Sequence, residues 1–354
     1  VIGVFLAIPL FFVLSGNGVS FPETYYEVNG VPLHANFLTL TLFPFLYLLR
    51  LRSIFIVLFV SMYLIIGLIE GGDRSLLLLQ QLHFFIIYVC LENLSSERLG
   101  FVIKGFLNAL KVLVLMHLIS IAMSLFSGDL FSAGPFIFDF VVYQAYLTYP
   151  LVLVIGLYIA LQYYGPKSIT SIFLIIGIFI IEIILMRRVS TILFLLLTFL
   201  FYYRYFYILI FIVIVSLGYL AGEVLEIFTS SFNRITSLTD STGFTRSMTW
   251  SRSLSYLADL KILFFGNGTH NHSHNFFLHV LTTNGIIISS VIFYFYAALF
   301  KKFFAKIRYS IKPTLFISAL IIIDWNLNVN IYQHYYSGSL ALLMIYLSNE
   351  KKSI

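Results

Sequence analysis

The chain has 354 residues, of which 60% are hydrophobic and only 10% charged, and its formal net charge is +6. A composition this apolar excludes an ordinary soluble domain and a disordered chain alike. Apolar runs long enough to cross a bilayer, which takes about 20 helical residues, recur along nearly the whole length, so the expected class is an all-α, polytopic integral membrane protein.

The first run, VIGVFLAIPLFFVL, begins without Met. The expectation is that a few residues are missing or that Val was read from an alternative start codon, because neither a basic segment nor a small-residue cleavage site marks a signal peptide. With this one at 1–14, the runs fall at 33–49, 53–69, 75–91, 101–126, 138–161, 168–186, 189–203, 205–222, 276–300, 313–330 and 337–348, predicting about twelve transmembrane helices. The single cysteine, Cys90, lies in the fourth run and allows no intrachain disulfide. Neither an internal repeat nor a low-complexity linker divides the chain, which reads as one membrane domain over residues 1–354.

Orientation follows from the basic residues, since short cytoplasmic loops carry the excess. If Arg50 and Arg52 are cytoplasmic, so are Arg98, Lys104, Lys111, Lys167, Arg204, Lys301, Lys302, Lys306, Arg308, Lys312, Lys351 and Lys352, together 14 of the 21 Lys and Arg. Both termini are then cytoplasmic. Of the other seven, Arg234, Arg246, Arg252 and Lys261 belong to a long outer loop, residues 223–275, and long loops translocate largely regardless of charge. Topology therefore accounts for the positive charge, and no nucleic-acid partner is inferred from it.

Within that loop, Met248, Leu254, Tyr256 and Leu257 recur between Thr245 and Leu260 at spacings that predict a helix lying on the membrane surface. Gly266 and Gly268 are expected to end it. Next come four histidines, His270, His272, His274 and His279, where the loop hands over to the tenth run. In an extended backbone the first three share a face, as zinc ligands do; in a helix His270 and His274 share one instead. No Cys, Asp or Glu within ten residues completes a conventional metal site. The other two readings are histidines wetted by headgroups without a task, and one histidine acting as a general base at an outward-facing site.

A second feature is Arg187 and Arg188 in EIILMRRVSTILFLLL, wedged between two apolar runs. Charge at such a place is expensive and has a partner or a ligand. The pair either caps a hairpin, snorkelling outward and pairing with Glu182, or clamps an anion, since guanidinium binds phosphate oxygens bidentately. Arg246 and Arg252 form a third feature, solvated or headgroup-bound if taken singly. All three groups fall on the outer side, which suits an anionic lipid-linked substrate. Asp324 and His117 are expected to pair inside the bundle; Lys104 and Lys111 are expected to snorkel toward the cytoplasm; His34 and His334 lie near outer ends.

The order MRRVST, TRSMTW, GNG, HSHNFFL and TNGII resembles the O-antigen polymerase and O-antigen ligase superfamily over about residues 174–300. Many relatives read Ser-Arg-small where this chain has Arg187, Arg188, Val189 and Ser190, and Arg188 is taken as the equivalent arginine. The resemblance implies a many-helix membrane fold of the GT-C-like kind and a metal-independent glycosyltransferase without a cofactor. It would work at the periplasmic face of the bacterial inner membrane on oligosaccharides linked to undecaprenyl pyrophosphate. Carried over, Arg188 and Arg246 would hold the pyrophosphate, with Arg187 beside them. His274 would take the proton of the acceptor hydroxyl, with His272 and Asn275 positioning it and Arg252 and His270 in support. Membrane lipids and a chain-length regulator protein are the other implied partners. A polymerase is favoured over a ligase, which would transfer chain to lipid A core, because the chain is short and lacks an extra soluble domain. A polysaccharide or lipid transporter is the competing class, but two related halves with broken helices around a midplane site are absent from the pattern.

Overall fold

The computed structural model describes residues 3, 14–15, 18–19, 27–28, 31–32, 84–85, 87–127, 149–185, 188–203, 241–267, 275–307, 310–327 and 334–350. They are helical apart from connections and two minimal ladders, β1 (Leu14–Ser15) with β2 (Gly18–Val19) and β3 (Glu27–Val28) with β4 (Val31–Pro32). The residue pairs between the ladder strands are Gly-Asn and Asn-Gly, types that favour two-residue hairpin turns. The helix expected over 1–14 is thus described as helical only at Gly3, and Leu14 belongs to β1. The runs at 33–49, 53–69 and 205–222 lie outside the described residues.

The helices are α1 (Ser96–Ser127), α2 (Tyr149–Tyr163), α3 (Ile169–Leu185), α4 (Arg188–Tyr202), α5 (Ser241–Tyr256), α6 (Leu260–Phe265), α7 (Phe276–Ile307), α8 (Ile311–Leu327) and α9 (His334–Glu350), preceded by helical residues 87–92. Two of them, in Ser96–Ile119 and Phe276–Ile307, are long and apolar enough to cross a membrane; Leu151–Tyr163, Ile169–Glu182, Ser190–Tyr202 and Ile311–Ile322 are shorter apolar helices.

Local chemistry explains the ends. Ser95 starts α1 by accepting from the backbone N–H of Arg98 through its Oγ at 3.4 Å, with Glu97 in the first turn to complement the helix dipole. Ser168 starts α3 in the same manner, its Oγ accepting from Ser171 N at 3.1 Å. α2 is apolar on every side, as a helix surrounded by others must be. Every residue from Leu151 to Leu161 is buried, and α1, α3, α4 and α9 pack around it. Cys90 is a buried thiol in the segment before α1.

Two sets of contacts fix the direction of these helices. Tyr158 of α2 stacks on Phe316 of α8 at 4.7 Å and meets Phe201 of α4 edge-on at 5.4 Å. Lys312, at the start of α8, lies 5.1 Å over the Phe201 ring near the end of α4. Tyr202, the last residue of α4, donates to Pro166 O in the turn between α2 and α3. Lys302 and Lys306, near the end of α7, reach Glu92 at 2.7 and 3.4 Å. The turn before α1, the α2–α3 turn and the α7–α8 turn therefore gather at one end of the bundle, with the C-terminus of α4. Arg98, Lys167, Lys302, Lys306 and Lys312 make that end basic. Since α7 and α8 are joined by three residues and α4 runs antiparallel to α8, α4 and the part of α7 after Gly285 are parallel, and both begin at the opposite end. The part of α7 before Gly285 folds back along it, so that Phe276 meets Tyr296 at 5.3 Å and Phe293 at 6.2 Å.

Candidate functional site

The end where α4 and the part of α7 after Gly285 begin carries two polar constructions. The first is the α3–α4 hairpin. Glu182, only 2% exposed in an otherwise apolar helix, accepts from Ser190 Oγ at 2.7 Å and Thr191 Oγ1 at 3.1 Å through Oε2. These two bonds fasten α3 to the first turn of α4 and satisfy a carboxyl oxygen that burial takes out of water. Arg188 is the first residue of α4; its side chain, and all of Arg187, lie outside the described residues.

The second construction is built from α5, α6 and the start of α7, with both α5 and α6 packed on α7. A helix is present in this stretch, as Ser241–Tyr256 rather than Thr245–Leu260, and a turn at 257–259 separates it from the unforeseen α6. Met248 and Leu254 are both 57% exposed, whereas Ser253 is buried and Trp250 half-buried. Arg246, Trp250 and Ser253 recur at spacings of four and three, so the register puts them along one face. Arg252 falls about 120° around the helix from Arg246. It is exposed, its Nε donates to Tyr256 Oη at 2.9 Å, and its guanidinium lies 5.7 Å over that ring. The two loop arginines thus occupy different faces.

After α5, Asp259 caps α6 by accepting from Lys261 N at 2.8 Å, and Gly266 ends it at φ 76°. Gly266 meets the second break of this unit, at Gly285 inside α7, where φ is 71° and ψ 172°. A Cβ on Gly266 would strike the Thr283 carbonyl, and one on Gly285 the Phe264 carbonyl, so each glycine admits the other's strand of backbone. Breaking α7 releases carbonyls that a straight helix would satisfy. Val280 O takes Asn284 Nδ2 at 3.0 Å and Ser289 Oγ at 2.9 Å, and Thr282 O takes the backbone N–H of Asn267 at 2.9 Å. Thr282, Thr283, Asn284 and Ser289 are fully buried for this purpose. Thr283 and Asn284 belong to the TNGII motif, but their part in bracing a helix break was not expected. The signal was present in TTNG, a polar run with glycine inside an apolar helix.

Asn267 closes one side of the segment 268–274 and Asn275 the other. Asn275 caps α7: its Oδ1 accepts from Leu278 N at 3.0 Å and its carbonyl from His279 N at 2.9 Å. The residue expected to position an acceptor hydroxyl thus also starts the helix that follows the histidines. His270, His272 and His274 lie between these anchors, outside the described residues, whereas His279 is buried in the first turn of α7. His117, expected to pair inside the bundle, bonds through Nδ1 to Leu113 O at 2.7 Å on its own helix. The side chains of Asp324 and His334, and all of His34, lie outside the described residues. Among the described residues no group of three or more His, Cys, Asp or Glu could hold a metal ion.

The structure therefore brings Arg246, Asn275 and the ends of the histidine segment into one unit. Arg188 begins at the same end of the bundle on a different helix pair, linked to that unit through α8. No family model, curated protein or solved structure matches this chain.

Proposed function

We propose that this chain is a multi-pass inner-membrane glycosyltransferase of the O-antigen polymerase kind, with about twelve spans, joining repeat units carried on undecaprenyl pyrophosphate at the periplasmic face. The observation that carries the reading is the end shared by α4 and by the part of α7 after Gly285. Arg188 and Asn267, the first anchor of the histidine segment, lie there, opposite the end where Arg98, Lys167, Lys302, Lys306 and Lys312 collect. That asymmetry is the one expected of basic cytoplasmic turns and an outward-facing site for a lipid anion. Apolar exposure supports a lipid environment: Phe101, Ile169, Tyr294, Ile311 and Ile322 are all more than 60% exposed.

In this reading Arg188 and Arg246 hold the donor pyrophosphate, with Arg187 and Arg252 nearby, and offset the charge that grows on it as the glycosidic bond breaks. His274 takes the proton of the attacking hydroxyl on the acceptor unit, while His270, His272 and Asn275 fix its position. The gel profile of surface lipopolysaccharide after deletion of the gene in its native strain tests the reading. A ladder collapsing to core plus one repeat unit is the expected result. Loss of every repeat from the core, with polymer stranded on its lipid carrier, would make the protein a ligase instead, and an unchanged ladder would overturn the proposal.

A further inference from the structure

We propose that Trp250 is a substrate-contacting residue, its indole N–H donating to a phosphate oxygen of the lipid-linked donor beside Arg246; this rests on the polymerase reading above. The chain holds two tryptophans, Trp250 and Trp325. Trp250 Nε1 is shielded from solvent, and among the described residues no acceptor reaches it. A buried indole N–H ordinarily finds a partner, so an orphan of this kind calls for a reason.

The described part of α5 supplies none: the hydroxyls of Ser253 and Ser255 turn back to Thr249 O at 2.8 Å and Arg252 O at 2.7 Å on their own helix, and neither reaches the indole nitrogen. The indole nitrogen is a donor only, so its missing partner is an acceptor oxygen. Register selects which oxygen. Arg246 lies one turn before Trp250 on the same face of α5, and α5 packs on α7, whose first residues follow the histidine segment. An arginine position one turn from a shielded neutral N–H suits a composite donor for an anion, and the low local dielectric strengthens the bond from the indole. The contact adds no charge, which distinguishes it from a further arginine: it selects for an oxygen in one direction.

Two variants test this. Trp325→Phe leaves Trp250 as the sole tryptophan, and the purified full chain in detergent is titrated with inorganic pyrophosphate and, separately, with undecaprenyl pyrophosphate. A saturable red shift of the emission with both ligands is expected. Trp250→Phe keeps a ring and removes only the donor. It should raise KM for the lipid-linked repeat unit about tenfold or more, as loss of a bond to a charged acceptor does, with kcat within about threefold and an unchanged thermal transition. Emission indifferent to both ligands, or a wild-type KM in Trp250→Phe, overturns the assignment of Trp250 while leaving the polymerase reading intact. A wild-type protein that neither polymerises nor binds either pyrophosphate overturns both.

Discussion

Glu182 is a carboxylate in an apolar helix, and both of its hydroxyl partners come from the first turn of α4. It sets the place from which Arg188 starts, which is a different task from binding the substrate. Arg188→Lys would keep the charge and lose the planar fork, so polymer formation should fall about tenfold or more while protein level is unchanged. Full activity in that variant, measured by complementation of the deletion strain, would reduce the arginine to a topological signal. His274→Ala should lower the rate by about a hundredfold or more, the contribution of a positioned general base. Retention of full polymer length would remove His274 from that role. Asn275 is a less clean target, because its Oδ1 caps α7 and its replacement would disturb the helix start as well as the chemistry.

At the scale of elements, the decisive feature is the meeting of Gly266 and Gly285. Gly285→Ala would place a Cβ against the Phe264 carbonyl and force Ala to φ 71°. The backbone strain alone costs about 1–3 kcal/mol. The variant should unfold at lower temperature in detergent, and α6 should become accessible to protease between Leu260 and Phe265. Wild-type stability would show that the backbone passes there without the close approach. Apolar runs at 101–126, 168–186 and 189–203 read α1, α3 and α4 to within a few residues, because capping serines and turn residues bound them. α7 was read only to residue 300, since hydropathy stops at Lys301 and Lys302, whereas lysine is a good helix former and the helix continues to Ile307. The break at Gly285 escaped because the run stays apolar on both sides of it. The split between α5 and α6 escaped because Ala258 and Asp259 do not announce a turn as glycine does. For the site, residue types and their order along the chain were legible. The pairing of two glycines 19 positions apart was not, since nothing local marks which backbone a glycine makes room for.

On the scale of the whole molecule, the bundle has a basic end and an end with the candidate site, and in the proposed orientation the first is cytoplasmic. A fluorescent protein fused after Ile354 should therefore fold and emit, while alkaline phosphatase inserted after Asn267 should be active. The reverse pattern would invert the site and end the polymerase proposal. The Glu92 ion pairs with Lys302 and Lys306 join the segment before α1 to α7 at this end, but they are partly exposed and their contribution to stability is small.

The α3–α4 hairpin has a further consequence in such a membrane. Its helices have 17 and 15 residues, and at about 1.5 Å per residue α4 reaches only about 22 Å, against a hydrocarbon thickness of about 30 Å. In the proposed orientation, with the C-terminal end of α4 at the cytoplasmic headgroups, the tip that bears Arg188 stops several Å short of the outer headgroups unless the lipid accommodates it. Hydrophobic mismatch of this kind is relieved by local thinning, which draws phosphates and water down to the tip and shortens the path by which a carrier's diphosphate reaches it. Acyl-chain length then becomes a variable of the reaction: thin, short-chain bilayers should support faster polymerisation than thick ones with the same headgroups.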